Sequence, residues 1–143
     1  MKRFIRALTL LSALLFFKGC ENYHETAGDF AGMWQMTQWR DNATGDILPT
    51  SADGIYFCVQ RQLMKFQCQS DLKRYYLTTY TRTHESIQLG VILEYPVDTI
   101  VTDYTLLNAN YAVPVDGKFQ IDLLDRNHLI LSTDAATLTF RKY

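Results

Sequence analysis

The sequence predicts an all-β domain: an eight-stranded antiparallel up-and-down barrel with one short helix in the 97–111 connection. Three observations lead there. Apolar and polar residues alternate with period two along most of the chain, short turn-forming segments join most of the alternating runs, and the runs number eight. Alternation marks strands with one buried face. Eight such strands paired in sequential order can close on themselves and leave no exposed edge.

The first run, "GMWQMTQWR", sets Trp34 and Met36 against Gln35 and Thr37, and "DNATGD" follows as a loop. "GIYFCVQ" is rich in aromatic and β-branched residues, and "LMKFQCQ" places Met64, Phe66 and Cys68 on one face. "YYLTTYTRT" is a long strand by composition, and beyond the polar corner "HE" a shorter one follows in "SIQL". At the C-terminal end "KFQIDLL", "HLILS" and "TLTFRKY" form a meander with turns at "DRN" and "TDAA". Between Val91 and Gly117 the alternation stops. There Ile100, Tyr104, Leu107 and Tyr111 recur at helical spacing, Asp98 is placed to cap a helix, and Pro96 and Pro114 bracket the stretch. A connection of this length in a compact domain serves as a lid or binding loop, or as a plug over one barrel end.

The N-terminus indicates an address. Lys2, Arg3 and Arg6 precede an apolar run, Ala7 to Phe17, too short to cross a bilayer but suited to a secretory signal. The run ends on Gly19-Cys20, which resembles the lipobox of bacterial lipoproteins, with Phe17 and Lys18 as departures from the usual pattern. The resemblance implies acylation of Cys20, a signal peptide over 1–19, a lipidated tether over 20–29 and a barrel domain over 30–143. It implies a lipid-anchored protein of the cell envelope at the outer membrane, on its periplasmic or surface face. Without Lys2, Arg3, Arg6 and Lys18 the mature chain has ten basic residues against 15 acidic ones, a charge of −5. That balance argues against nucleic acid and anionic membrane surfaces as partners.

Three features resemble the small lipocalin-like domains of Gram-negative lipoproteins: the triplet Gly32-Met33-Trp34 opening the first strand, the hairpin-like "YTRTHESIQL", and the closing "LTFRKY". The resemblance implies that Trp34 seals one barrel end beneath a basic residue from the last strand. Parity makes that residue Lys142, which shares a face with Leu138 and Phe140, while Arg141 points outward. Trp39 lies at the other end of the first strand, and odd–even parity turns it away from the Trp34 face, leaving it more exposed. A ligand would then enter opposite Trp34, beneath the Val91–Gly117 connection, at a mouth built from Trp39, Tyr95, Tyr104 and Tyr111.

No catalytic constellation, metal-ligand spacing or cofactor motif stands out, so the chain reads as a non-enzyme without cofactor or metal. His24, His84 and His128 are scattered and read as solvated. Aromatics are the enriched class, with sixteen in the mature chain, and the tyrosines gather in its middle. Cys58 and Cys68 are candidates for a disulfide, since an exported protein meets an oxidising compartment. The register decides. A two-residue turn at Arg61-Gln62 sets Cys58 opposite Lys65, whereas a five-residue loop centred on Leu63 sets the cysteines opposite one another. Two functions fit: a barrel holding a small apolar or amphipathic ligand, or a filled barrel that docks on another envelope protein.

Overall fold

The computed structural model describes residues 27–143. The signal peptide, Cys20 and residues 21–26 of the tether lie outside the described residues. A 3₁₀ turn, Gly28–Phe30, leads into β1 (Gly32–Asp41), followed by β2 (Ile47–Pro49), β3 (Ile55–Gln60), β4 (Leu63–Cys68), β5 (Asp71–Arg82) and β6 (Ser86–Tyr95). Then come β7 (Thr99–Ile100), helix α1 (Thr105–Tyr111), β8 (Lys118–Leu124), β9 (His128–Ser132) and β10 (Ala136–Lys142). Strands β1, β3, β4, β5, β6, β8, β9 and β10 pair antiparallel in that order, and β10 returns to pair with β1. These are the eight alternating runs of the sequence, and they close into a ring. The short β2 lies on β1 and β7 on β6.

The packed fold begins earlier than residue 30. Ala27 is buried, and Phe30, in the turn that follows, is fully buried, so the segment expected to be tether to residue 29 already carries part of the core.

Four register shifts interrupt the ladders, one between Gln67 and Cys68 on β4 and three more that break the simple alternation. In the β1–β10 ladder Met36 faces Phe140 while Gln38 faces Thr139, so Thr37 is a bulge residue. Beyond it Trp39 faces Leu138, a buried core residue. One extra residue reverses the parity of everything after it, and Trp39 therefore turns inward rather than away from the Trp34 face. In the β5–β6 ladder Thr78 faces Ile92 and Tyr80 faces Leu89, leaving Gly90 and Val91 opposite Thr79 alone. A Cβ on Gly90 would stand 2.5 Å from the Thr79 hydroxyl, so any larger residue there forces the Thr79 side chain to move. β6 accordingly runs through Val91–Tyr95, where the sequence had suggested the start of an irregular connection. A third shift lies in β8, between Ile121 and Leu123.

The connection does contain a helix, but a shorter one, Thr105–Tyr111. Asp98 does not cap it; that residue sits in the β6–β7 turn with φ 53°. Asp103 does the work, its carboxylate accepting from the Thr105 amide at 2.9 Å and the Thr105 hydroxyl at 2.6 Å. Leu107 and Tyr111 form the buried face of the helix. Ile100 belongs instead to β7, opposite Leu93.

Aromatic rings fill the barrel interior. Phe57 stands at the centre, 4.7 Å from both Phe66 and Phe140 and 6.2 Å from Phe119, ring centre to ring centre. Such contacts combine large apolar burial with favourable edge-to-face geometry. The middle of the barrel is a packed core, and space for anything else lies only at its ends.

Candidate functional site

One end is sealed. Trp34 is fully buried, and its indole Nε1 donates to the Phe30 carbonyl at 2.8 Å. Lys142, the cross-strand neighbour of Trp34, holds its ammonium 4.7 Å from the indole centre and donates to the Asp29 carbonyl at 2.8 Å. Gly32 makes room for this arrangement: its φ of 130° suits glycine, and a Cβ there would stand 3.2 Å from Lys142 Cε. Phe30 packs edge-on against Tyr80 at 5.3 Å, under the Arg82 guanidinium. Arg141 lies exposed on the outer face and donates to Gln35 Oε1 at 2.9 Å.

The other end is open. Between the late part of β1, the segment Leu48–Thr50, the β4–β5 hairpin and α1 lies a cleft of about 660 Å³, within the ~300–1,000 Å³ typical of small-molecule sites. Trp39, Ile55, Tyr76 and Tyr111 line it, with Leu48 and Leu106 at its edge. Leu48 and Leu106 are 63% and 53% exposed, unusual for residues of that size. Tyr111 is the keystone. It descends from the helix between Phe66 at 5.8 Å and Tyr76 at 6.0 Å, tying the cleft to the aromatic core beneath. Burial raises the Tyr76 phenol, with Glu94 adding to the effect, and pushes the Tyr111 phenol well above the ordinary tyrosine range. Both stay neutral and keep a proton to donate.

The polar groups of the cleft are few. Arg74 pairs with Glu94 at 3.4 Å. Asp53 and Asp71 stand beside Cys68, whose thiol approaches the Asp53 carbonyl at 3.4 Å and whose cross-strand neighbour is Asp71. Thr50 is 5% exposed, and its hydroxyl has no hydrogen-bond partner among the described residues.

Of the four residues expected at the mouth, Trp39 and Tyr111 line the cleft and two do not. Tyr95 instead stacks on Tyr75 at 4.9 Å, nearly parallel. Tyr104, half-buried, precedes the first turn of α1. Sequence reasoning missed Thr50, Ile55, Asp53, Asp71 and Arg74, which sit in short turns or at strand tips where periodicity carries no signal.

Of the two states left open by the sequence, the structure has the thiols: Cys58 and Cys68 are free. The turn is the tight one, at Arg61-Gln62, and Cys58 faces Lys65 while Cys68 faces Ile55. The two side chains therefore also lie on opposite faces of the sheet, Cys58 outside and Cys68 at the cleft. Arg61 adopts a left-handed φ of 55° without being glycine or asparagine. Strand β5 holds the turn in place: the Tyr80 hydroxyl donates to the Arg61 carbonyl and the Tyr80 amide to the Gln62 carbonyl.

No curated protein matches the chain. The structure resembles a lipocalin-like protein from Bacteroides uniformis (TM-score 0.59, 23% identity, 81% of this chain and all of that one). It also resembles an uncharacterised protein from Bacteroides eggerthii (TM-score 0.57, 17% identity, 79% of this chain and 98% of that one). The family model of the lipocalin-like domain matches residues 14–143. Nearly the whole sequence is covered, Gly32 and Trp34 at the sealed end included, and the chain belongs to the lipocalin-like domain family.

Proposed function

We propose that this protein is an envelope lipoprotein, anchored through acylated Cys20 at the outer membrane, whose barrel holds a small apolar or amphipathic ligand at its open end. The observation that carries the reading is the cleft of about 660 Å³ opposite Trp34. Its walls are mainly apolar and aromatic, with a few polar groups at fixed places, the usual make-up of a small-molecule site. The ligand would sit on the aromatic core rather than inside it, because Phe57, Phe66, Phe119 and Phe140 occupy the interior. That filled interior also favours a second reading, a module that docks on another envelope protein and binds no ligand.

Two experiments test the proposal. Replacing Cys20 with Ala is expected to abolish acylation and leave the protein in the aqueous phase of a detergent partition; unchanged partition into detergent overturns the anchor. Native mass spectrometry of that soluble Cys20→Ala protein is expected to show adducts of one or a few small molecules that organic extraction removes. A bare polypeptide mass, with no adduct after exposure to a lipid extract, favours the docking module.

A further inference from the structure

Resting on the ligand-binding reading, we infer that the mouth selects amphiphiles with an ammonium head and discriminates against carboxylate heads such as those of fatty acids. The charged groups in the cleft wall are Arg74, Asp53 and Asp71, and Glu94 stands beside Arg74. The Arg74–Glu94 pair at 3.4 Å cancels its own charge. Among the described residues neither Asp53 nor Asp71 forms an ion pair, so two carboxylates set the sign of the field at the rim.

The surfaces beside them suit a cation. Trp39, Tyr76 and Tyr111 present π-systems to the cleft, and the faces of such rings attract ammonium groups. With their phenols held neutral by burial, the tyrosines add no charge of their own. An independent observation points to a missing polar partner. Thr50 lines the same cleft, and among the described residues its buried hydroxyl has no hydrogen-bond partner. A primary ammonium carries three N–H donors and no acceptor, so it can donate to that oxygen while it lies in the field of the carboxylates. Leu48, Ile55 and Leu106 take the apolar tail.

The test uses the soluble Cys20→Ala protein and three probes sharing one tail, dodecylammonium, dodecanol and dodecanoate, each below its micelle concentration. Binding is read from Trp39 emission, with calorimetry as a second readout. The expected order is dodecylammonium tightest and dodecanoate weakest, about tenfold or more apart, as for one or two charge contacts at a partly exposed site. In an Asp53→Asn/Asp71→Asn variant, which keeps shape and one acceptor oxygen per residue, the preference for dodecylammonium over dodecanol is expected to collapse. Thr50→Val is expected to weaken dodecylammonium and dodecanol, each of which carries a donor for the lost oxygen. Dodecanoate binding as tightly as dodecylammonium, or a preference that survives in the double variant, overturns the charge selection while the mouth still stands as a binding site. Failure of all three probes to bind overturns both this inference and the reading it rests on.

Discussion

Trp34 and Trp39 begin from similar sequence contexts and reach different roles. Trp34 loses all solvent contact, gains a hydrogen bond to Phe30 and a cation over its ring, and closes the barrel. Trp34→Ala is expected to cost about 3–5 kcal/mol, enough to unfold a domain of ordinary stability. Trp39 is half-buried in the wall of an open cleft, so Trp39→Ala removes fewer contacts and leaves no enclosed cavity. Its cost is expected to be under half as large; thermal melting of the two variants checks the difference, and equal losses would contradict it. Thr50 predicts the opposite sign. A buried hydroxyl without a partner costs stability that an isosteric methyl does not, so Thr50→Val is expected to raise stability in the ligand-free protein by about 1 kcal/mol, measured by chemical denaturation. A clear loss of stability would mean that the hydroxyl is bonded after all.

At the scale of elements, the weakest joint is where β6 meets β8. Only Ser86–Gln88 and Lys118–Gln120 are partnered there, and further along that edge only Leu93 and Glu94 of β6 pair with β7. Helix α1, in the connection between β7 and β8, donates a hydrogen bond from its first residue to Asp103. Hydrogen bonds from Thr105 hold the Asp103 carboxyl below its ordinary value of 3.8. A group whose folded pKa is depressed stabilises the fold above its unfolded pKa, and loses that effect as pH falls through the folded value. Acidification below pH ~4 is therefore expected to loosen α1 before the barrel. Amide exchange would show it as protection falling first at residues 105–111, and an Asp103→Ala variant, which removes the acceptor, should exchange there at neutral pH as the parent does in acid. Uniform loss across all strands would contradict the role given to Asp103.

The same scale shows what the sequence could reveal. The eight ring strands were legible because each buries one face, and burial of one face writes alternation into the residues. Strands β2 and β7, of three and two residues, are too short to write any period. The second half of β6 was lost because Gly90 and Val91 break the alternation, and the inward turn of Trp39 because Thr37 does the same in β1. A bulge adds a residue without changing composition, so nothing local announces it. The β3–β4 turn hid for another reason: Arg61 takes a conformation usually left to glycine, and it is Tyr80, distant in sequence, that secures it. Trp39 and Tyr111 were legible as mouth residues from their place in the chain. Asp53, Asp71 and Thr50 were not, since they sit in a turn and at a strand start, where no period is written, and it is the pairing of β3, β4 and β5 that brings them to one cleft.

Taken whole, the molecule has a polarity. Ala27, where the described chain begins, lies at the sealed end, with its carbonyl near the Arg82 guanidinium. Every functional statement above depends on this division between a sealed end and an open end at which binding is proposed. The two tryptophans of the chain lie at the two ends, and their indole N–H groups are expected to give two separate peaks in one heteronuclear correlation spectrum. Adding dodecylammonium to the soluble protein is predicted to move the Trp39 indole peak progressively and to leave the Trp34 peak, bonded to Phe30 in the sealed end, where it stands. Movement of the Trp34 peak with Trp39 unmoved, or saturation of binding with both peaks fixed, would contradict the placement of the binding site.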